Sequence, residues 1–149
     1  MAALAPLACG KTSAPEPPIT WYTRIAPACA AAERLNRPVL FVNWASWDVM
    51  SKELDNAAFQ NERVRRTLRQ EWVALRVDRT NVYMQEGSGS EQQREVEEAQ
   101  RRFKPWESKY ATIVLMAPDC ATEIGRVDRY YDPPALLERL AAARAKLRG

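Results

Sequence analysis

The sequence predicts one α/β domain built on a mixed central sheet of about four strands flanked by helices. Three observations carry this. Nearly continuous apolar runs of strand length stand at Val39–Trp44 and at residues 72–78 and 112–116, and such runs are strands covered on both faces. Segments of helical composition separate them, so strands and helices alternate. After the third run, a Pro-Asp-Cys turn at 118–120 leads to a fourth strand and one closing amphipathic helix, which adds an antiparallel pair to the alternating order.

Residues 1–20 form a leader and residues 21–149 the domain. The start reads MAALAPLAC, followed by Gly10. Its end, Leu7-Ala8-Cys9-Gly10, resembles the end of a bacterial lipoprotein signal and makes Cys9 a lipidation candidate. A basic n-region and a full apolar h-region are missing, and Pro6 stands where leucine is usual. Residues 10–20 are proline-rich and read as an extended or disordered tether. A helix follows over 27–36, with Pro27 tolerated in its first turn. After the strand at 39–44, residues 48–54 and 62–70 are helical, with a break near 56–61. Residues 82–90 contain Gly-Ser-Gly-Ser and read as a loop. Residues 91–103 form a charged helix whose narrow apolar stripe is Val96, Ala99 and Phe103. Strands at 112–116 and 123–130 make a hairpin. Asp132 caps the last helix with Pro133 at its first position, and Leu136, Leu137, Leu140, Ala143 and Leu147 line its inner face.

The 149 residues are 46% hydrophobic and 28% charged, which suits one globular domain. The net charge of +3 balances 22 basic against 19 acidic residues, so charge does not point to nucleic acid. Histidine is absent, which removes the usual general base and the commonest zinc ligand. Cys9, Cys29 and Cys120 form no CxxC pair and no metal spacing. A Cys29–Cys120 bridge is possible, but idle or buried thiols are the preferred reading. No metal and no cofactor is expected. No apolar run approaches the ~20 residues that span a bilayer.

This order, with particular residues inside it, resembles the thioredoxin superfamily over about residues 21–145. Within it the nearest likeness is to the C-terminal thioredoxin-like domain of the disulfide-interchange protein DsbD and its relatives. Asn43-Trp-Ala-Ser-Trp-Asp-Val-Met-Ser-Lys-Glu-Leu54 is similar to the active-site segment in which Trp-Cys-x-x-Cys-Lys follows the first central strand. Val77-Asp-Arg-Thr-Asn81 is similar to the family's next strand end, and residues 111–116 to the strand that the family opens with Pro-Thr. The resemblance places the attacking cysteine on Asp48, the resolving cysteine on Ser51, the cis-proline on Ala111 and the buried acid on Val42. Thiol exchange needs a thiolate and a second, resolving thiol, which a carboxylate and a hydroxyl do not supply. A cis bond at Ala111 would cost about 2.5–4 kcal/mol, so trans is expected.

The site therefore reads as degenerate: Trp47, Asp48, Ser51, Lys52 and Ala111. Asp48 is expected as a helix N-cap accepting from the N–H of Met50 or Ser51, with Lys52 close enough to pair with it. A Ser51–Lys52 hydrolase is disfavoured, because neighbours on a helix do not face each other. Trp47, Trp106 and Tyr110 are the expected partner contacts, since exposed aromatic anchors dominate interfaces; Trp44 fits core packing equally well. Arg63, Arg65, Arg66 and Arg69 read as a solvated helix face, with an acidic partner or anionic lipid next. The expected protein is not an enzyme but a redox-inactive thioredoxin-like subunit that binds a protein partner. It would sit in the bacterial periplasm or envelope, with Cys9 as the candidate anchor and a cytoplasmic place as the alternative. The rival functions are an oxidoreductase using Cys29 or Cys120 and a chaperone-like peptide binder.

Overall fold

The computed structural model describes residues 14–82, 90–106, 112–127 and 132–148. The chain runs α1 (Ile25–Leu35), β1 (Val39–Trp44), α2 (Val49–Asn56), a 3-10 turn (Ala58–Gln60), α3 (Glu62–Glu71), β2 (Val73–Asp78), α4 (Glu91–Phe103), β3 (Ile113–Met116), β4 (Glu123–Val127) and α5 (Pro133–Lys146). The strands form one sheet in the order β2-β1-β3-β4. β1 and β2 are parallel, with Val39 beside Val73 and Trp44 beside Asp78. β3 runs antiparallel to both β1 and β4. This is the mixed sheet the sequence predicts, with its parallel pair and closing hairpin.

The alternation of side chains along β1 builds two cores. Val39 and Phe41 pack with Ala28, Ala32, Val96 and Phe103 from α1 and α4. Leu40 and Val42 pack on the other face with Leu54, Leu68 and Leu140 from α2, α3 and α5. The result is three layers, α1 and α4 over the sheet over α2, α3 and α5. Phe41 and Phe103 stack with centroids 4.6 Å apart. Each fully buried side chain of this size contributes about 1.5–3 kcal/mol.

Helix starts follow from their caps. Asn61 accepts from the N–H groups of Arg63 and Val64, Ser90 from Gln93, and Asp132 from Ala135 with Pro133 next in line. α1 has no side-chain cap of its own at Arg24. Its first amide, Ile25 N–H, instead donates to the carboxylate of Glu95 on α4.

Three expectations change. First, Cys29 and Cys120 are not idle thiols: they form a disulfide with Cα atoms 5.7 Å apart, joining α1 to the β3–β4 turn. Second, residues 14–20, read as tether, lie against α3. Ile19 and Trp21 pack on the α3 core, and Tyr22 exchanges backbone hydrogen bonds with Ala74 and Arg76 at the edge of β2. Third, the α3 arginines are not simply solvated. Glu16 accepts from Arg66 at 3.2 Å and Arg69 at 2.7 Å, and its backbone oxygen from Arg65 at 3.3 Å. The proline-rich segment is thereby strapped down by one carboxylate. Cys9 and the expected loop at 83–89 lie outside the described residues, as do residues 128–130 of the fourth strand.

Candidate functional site

The site lies where β1 and β2 end side by side. A parallel pair leaves its carboxyl ends open at one pole, where loops are free to carry side chains. Here the loops after the two strands are tied together. Ser46 N–H donates to Thr80 Oγ1 at 2.9 Å, Trp47 Nε1 to the Thr80 carbonyl at 3.1 Å, and Arg79 N–H to the Trp44 carbonyl at 2.9 Å. Asp78 accepts from the Thr80 N–H at 2.8 Å and from its hydroxyl.

Asp48 caps α2. Its Oδ2 accepts from Ser51 N–H at 3.0 Å and from Ser51 Oγ at 2.8 Å. The Ser51 oxygen in turn accepts from Ala45 N–H at 3.2 Å, so a buried hydroxyl is committed on both sides. Its proton is held by the Asp48 carboxylate, which is itself committed to the helix cap. Lys52 is exposed and makes no ion pair with Asp48, whereas Ser51 is buried. The Ser51–Lys52 pairing thus fails on geometry, and so does the Asp48–Lys52 pair. Val42 lies wholly inside the apolar core. Replacing Asp48 with alanine removes a cap and strands the Ser51 hydroxyl. A loss of about 1–2 kcal/mol is expected, read as a melting temperature roughly 3–6 °C lower; Asp48→Asn should recover most of it.

Above this turn sits a cluster the sequence reading missed. Arg79 is 1% exposed. Its guanidinium carbon lies 4.7 Å from the centroid of Trp47 and 5.5 Å from that of Trp106. Cation–π attraction is strongest for such a desolvated arginine over tryptophan. The two rings remain 54% and 49% exposed, and Val49 beside them is 65% exposed. One buried cation therefore holds two tryptophans with their outer surfaces turned to water. Trp47 and Trp106 thus share Arg79 as their common contact. Tyr110 and Ala111 lie outside the described residues. Arg79 had one signal: it continues the inward parity of Val73, Leu75 and Val77. Trp44 belongs to a second cluster. Its Nε1 donates to Asp55 at 2.9 Å, and Arg76 sits between the rings of Trp44 and Trp21 at 4.9 and 5.3 Å.

Cys29 and Cys120 are at the other pole. Cys120 follows β3, whose last residue, Met116, pairs with Val39 at the start of β1. The disulfide and the Asp48 turn therefore sit at opposite ends of the sheet. Among the described residues no group of three His, Cys, Asp or Glu side chains could hold a metal ion, and no helix is long and apolar enough to cross a membrane.

Comparison with solved structures agrees with this arrangement of strands and helices. A protein titled DsbH oxidoreductase superposes with a TM-score of 0.70 at 13% identity, covering 87% of this chain and 86% of its own. The fold is thioredoxin-like. A thioredoxin from Thermus thermophilus matches with a TM-score of 0.63 at 20% identity, over 86% of this chain and 88% of its own. A putative disulphide-isomerase from Bacteroides thetaiotaomicron gives 0.59 at 16% identity, over 89% and 97%. No protein-family model matches the sequence, and no curated protein matches it. In this thioredoxin-like frame α2 is the helix that follows the central strand β1, and Asp48 stands at its N-terminus.

Proposed function

We propose that this thioredoxin-like chain is a redox-inactive binding module, a protein-binding or structural subunit of a bacterial envelope assembly. The observation that carries this is the state of the α2 N-terminus. The place where the sequence resemblance puts the attacking thiol holds a carboxylate locked to Ser51 N–H and Oγ. That carboxylate completes the helix cap and supplies no sulfur, so it cannot form the mixed disulfide that exchange requires. What remains beside it is a surface for contact: Trp47, Val49 and Trp106 exposed around buried Arg79. Large amphipathic rings held rigid by packing are the usual anchors of protein interfaces. The solved neighbours titled oxidoreductase and disulphide-isomerase share the scaffold; the proposal is that this chain keeps the scaffold without the reaction, as a degenerate relative of the DsbD-like domain.

The envelope setting draws support from the Cys29–Cys120 bond, since structural disulfides persist in oxidising compartments. The same bond raises the rival reading of exchange at a non-standard cysteine, favoured by Arg102 Nη1 at 3.6 Å from the Cys29 sulfur. Exchange needs one reachable sulfur and a good leaving thiolate on the other. Here both advantages fall on Cys29. It is half-buried and has the cation, whereas Cys120 is 2% exposed among apolar side chains. Attack on Cys29 would expel a thiolate into that apolar setting, and attack on Cys120 is blocked. The bond therefore behaves as a staple. An insulin-reduction assay with a dithiol donor should show no turnover above background, in the unaltered chain and in Cys29→Ser alike. Turnover that vanishes in Cys29→Ser would overturn the proposal.

A further inference from the structure

We propose that the pole opposite the tryptophans docks on an anionic lipid surface, so that the Trp47–Trp106 face points away from the membrane. Several elements end together at that pole. Arg37 stands two residues before β1, and its Nη1 donates to the carbonyl of Arg69 in the last turn of α3 at 3.2 Å. Arg144 of α5 donates to the carbonyl of Glu71 at 2.7 Å, which brings the α5 C-terminus to the same place. Arg34 lies in the last turn of α1, just before Arg37.

The charges there do not balance. Glu16 is shared by Arg66 and Arg69, and Glu71 pairs with Arg144 at 3.5 Å. Among the described residues Arg34, Arg37, Lys146 and Arg148 have no carboxylate partner, against Glu33, Asp119 and Glu123 as further carboxylates at this end, the last of them paired with Arg126. Hydrogen bonds from the Ala121 and Thr122 amides and the Thr122 hydroxyl hold the Asp119 carboxyl below its usual range, so it stays ionised and, with Glu33, offsets only part of these four cations. Leu35, 45% exposed, lies among these cations. With Arg37, Arg69, Ile19 and Trp72 it lines a groove of about 250 Å³. A basic pole with an apolar residue at its centre is complementary to a bilayer that carries negative headgroups.

The path of the strap agrees. It runs from Glu16, held on α3, to Tyr22, which bridges to Leu75 of β2 in the parallel sense. Between them Ile19 lines the groove of the basic pole with Leu35 and Arg37. Only four residues separate Cys9 from Ala14, so a lipid on Cys9 would be within roughly 17 Å of the start of the strap at Ala14. One acyl chain holds a protein marginally, and a polybasic surface supplies the second contact that makes anchoring stable. The tryptophans sit at the other end of β1, whose six residues span about 20 Å. The proposal adds an orientation to the envelope reading but stands on the basic pole, whatever partner the tryptophans take.

The test uses the full chain without lipid on Cys9 and two vesicle preparations, phosphatidylcholine alone and phosphatidylcholine with phosphatidylglycerol. Binding is expected only to the anionic vesicles, and it should fall at least about tenfold when salt rises from low to several hundred millimolar. The charge-reversed variant Arg34→Glu/Lys146→Glu/Arg148→Glu changes only exposed residues and should lose tenfold or more, at roughly fivefold for each cation removed. Its melting temperature should match the unaltered chain. Trp106→Ala should bind vesicles as the unaltered chain does. Equal binding to neutral vesicles, no binding to anionic ones, or loss in Trp106→Ala with the charge-reversed variant intact would each overturn the proposal. None of these outcomes bears on protein-partner capture by the tryptophan face, which is measured separately.

Discussion

Replacing Cys29 and Cys120 together with alanine is expected to lower the melting temperature by roughly 10 °C, and a strong dithiol should do the same to the unaltered protein. The bond joins positions 91 residues apart. A cross-link over a loop of that length removes denatured-state freedom worth about 4–5 kcal/mol in the chain-entropy model, and native disulfides commonly deliver about 2–5 kcal/mol. For a chain of this size each kcal/mol moves the midpoint by roughly 2–4 °C. The site adds a second handle. Cys120 has φ 60, a left-handed conformation that glycine adopts freely and alanine does not. Cys29→Ala/Cys120→Gly should therefore melt above Cys29→Ala/Cys120→Ala by a few degrees. A shift of less than about 2 °C for the alanine pair would show that α1 and the β3–β4 turn stay together without the bond.

Where the sequence was legible, the reason is local. α4 occupies Glu91–Phe103 as expected, and Val96, Ala99 and Phe103 are its buried residues; three apolar positions at helical spacing in a charged segment leave one way to fold. The strands and the closing hairpin followed from apolar runs and turn signals, and the cap Asp132 from residue type and position, while the place of Asp48 at the start of α2 followed from the likeness to thioredoxins. What stayed hidden is what joins distant segments. Nothing near Cys29 or Cys120 announces the other, and an odd cysteine count left the pairing open. Glu16 is one carboxylate among prolines, and its arginines are some fifty residues downstream. Composition spoke for a tether, while three charge-assisted contacts and two apolar anchors spoke for a strap. Arg79 is the instructive miss. A charged residue at the inward parity of a buried strand needs a special setting to be tolerated, and here the two tryptophans form part of that setting.

Truncating Trp106 to alanine is expected to weaken partner binding about thirtyfold or more, the equivalent of about 2 kcal/mol, while moving the melting temperature by no more than a few degrees. The half-exposed ring leaves one face for a partner and commits the other to Arg79. Losing it removes an anchor from the interface but opens no cavity in either core. Trp47→Ala differs in a way that tests the geometry. It gives up the Nε1 bond to the Thr80 carbonyl as well as the contact with Arg79, so it should lose affinity and also about 1 kcal/mol of stability. Arg63→Ala, on the outer side of α3, should change neither quantity. The partner is first captured by pull-down from native membranes and identified by mass spectrometry, and the variants are then compared by equilibrium binding and thermal melts. If Trp106 instead seals the end of the sheet, Trp106→Ala would cost about 3–5 kcal/mol. Molecules still folded would then bind the partner with unchanged affinity. That combination would move the interface away from the tryptophans. Full stability with a thirtyfold loss of affinity, together with the combined loss in Trp47→Ala, would assign the contact to this pair of rings and to the arginine that holds them.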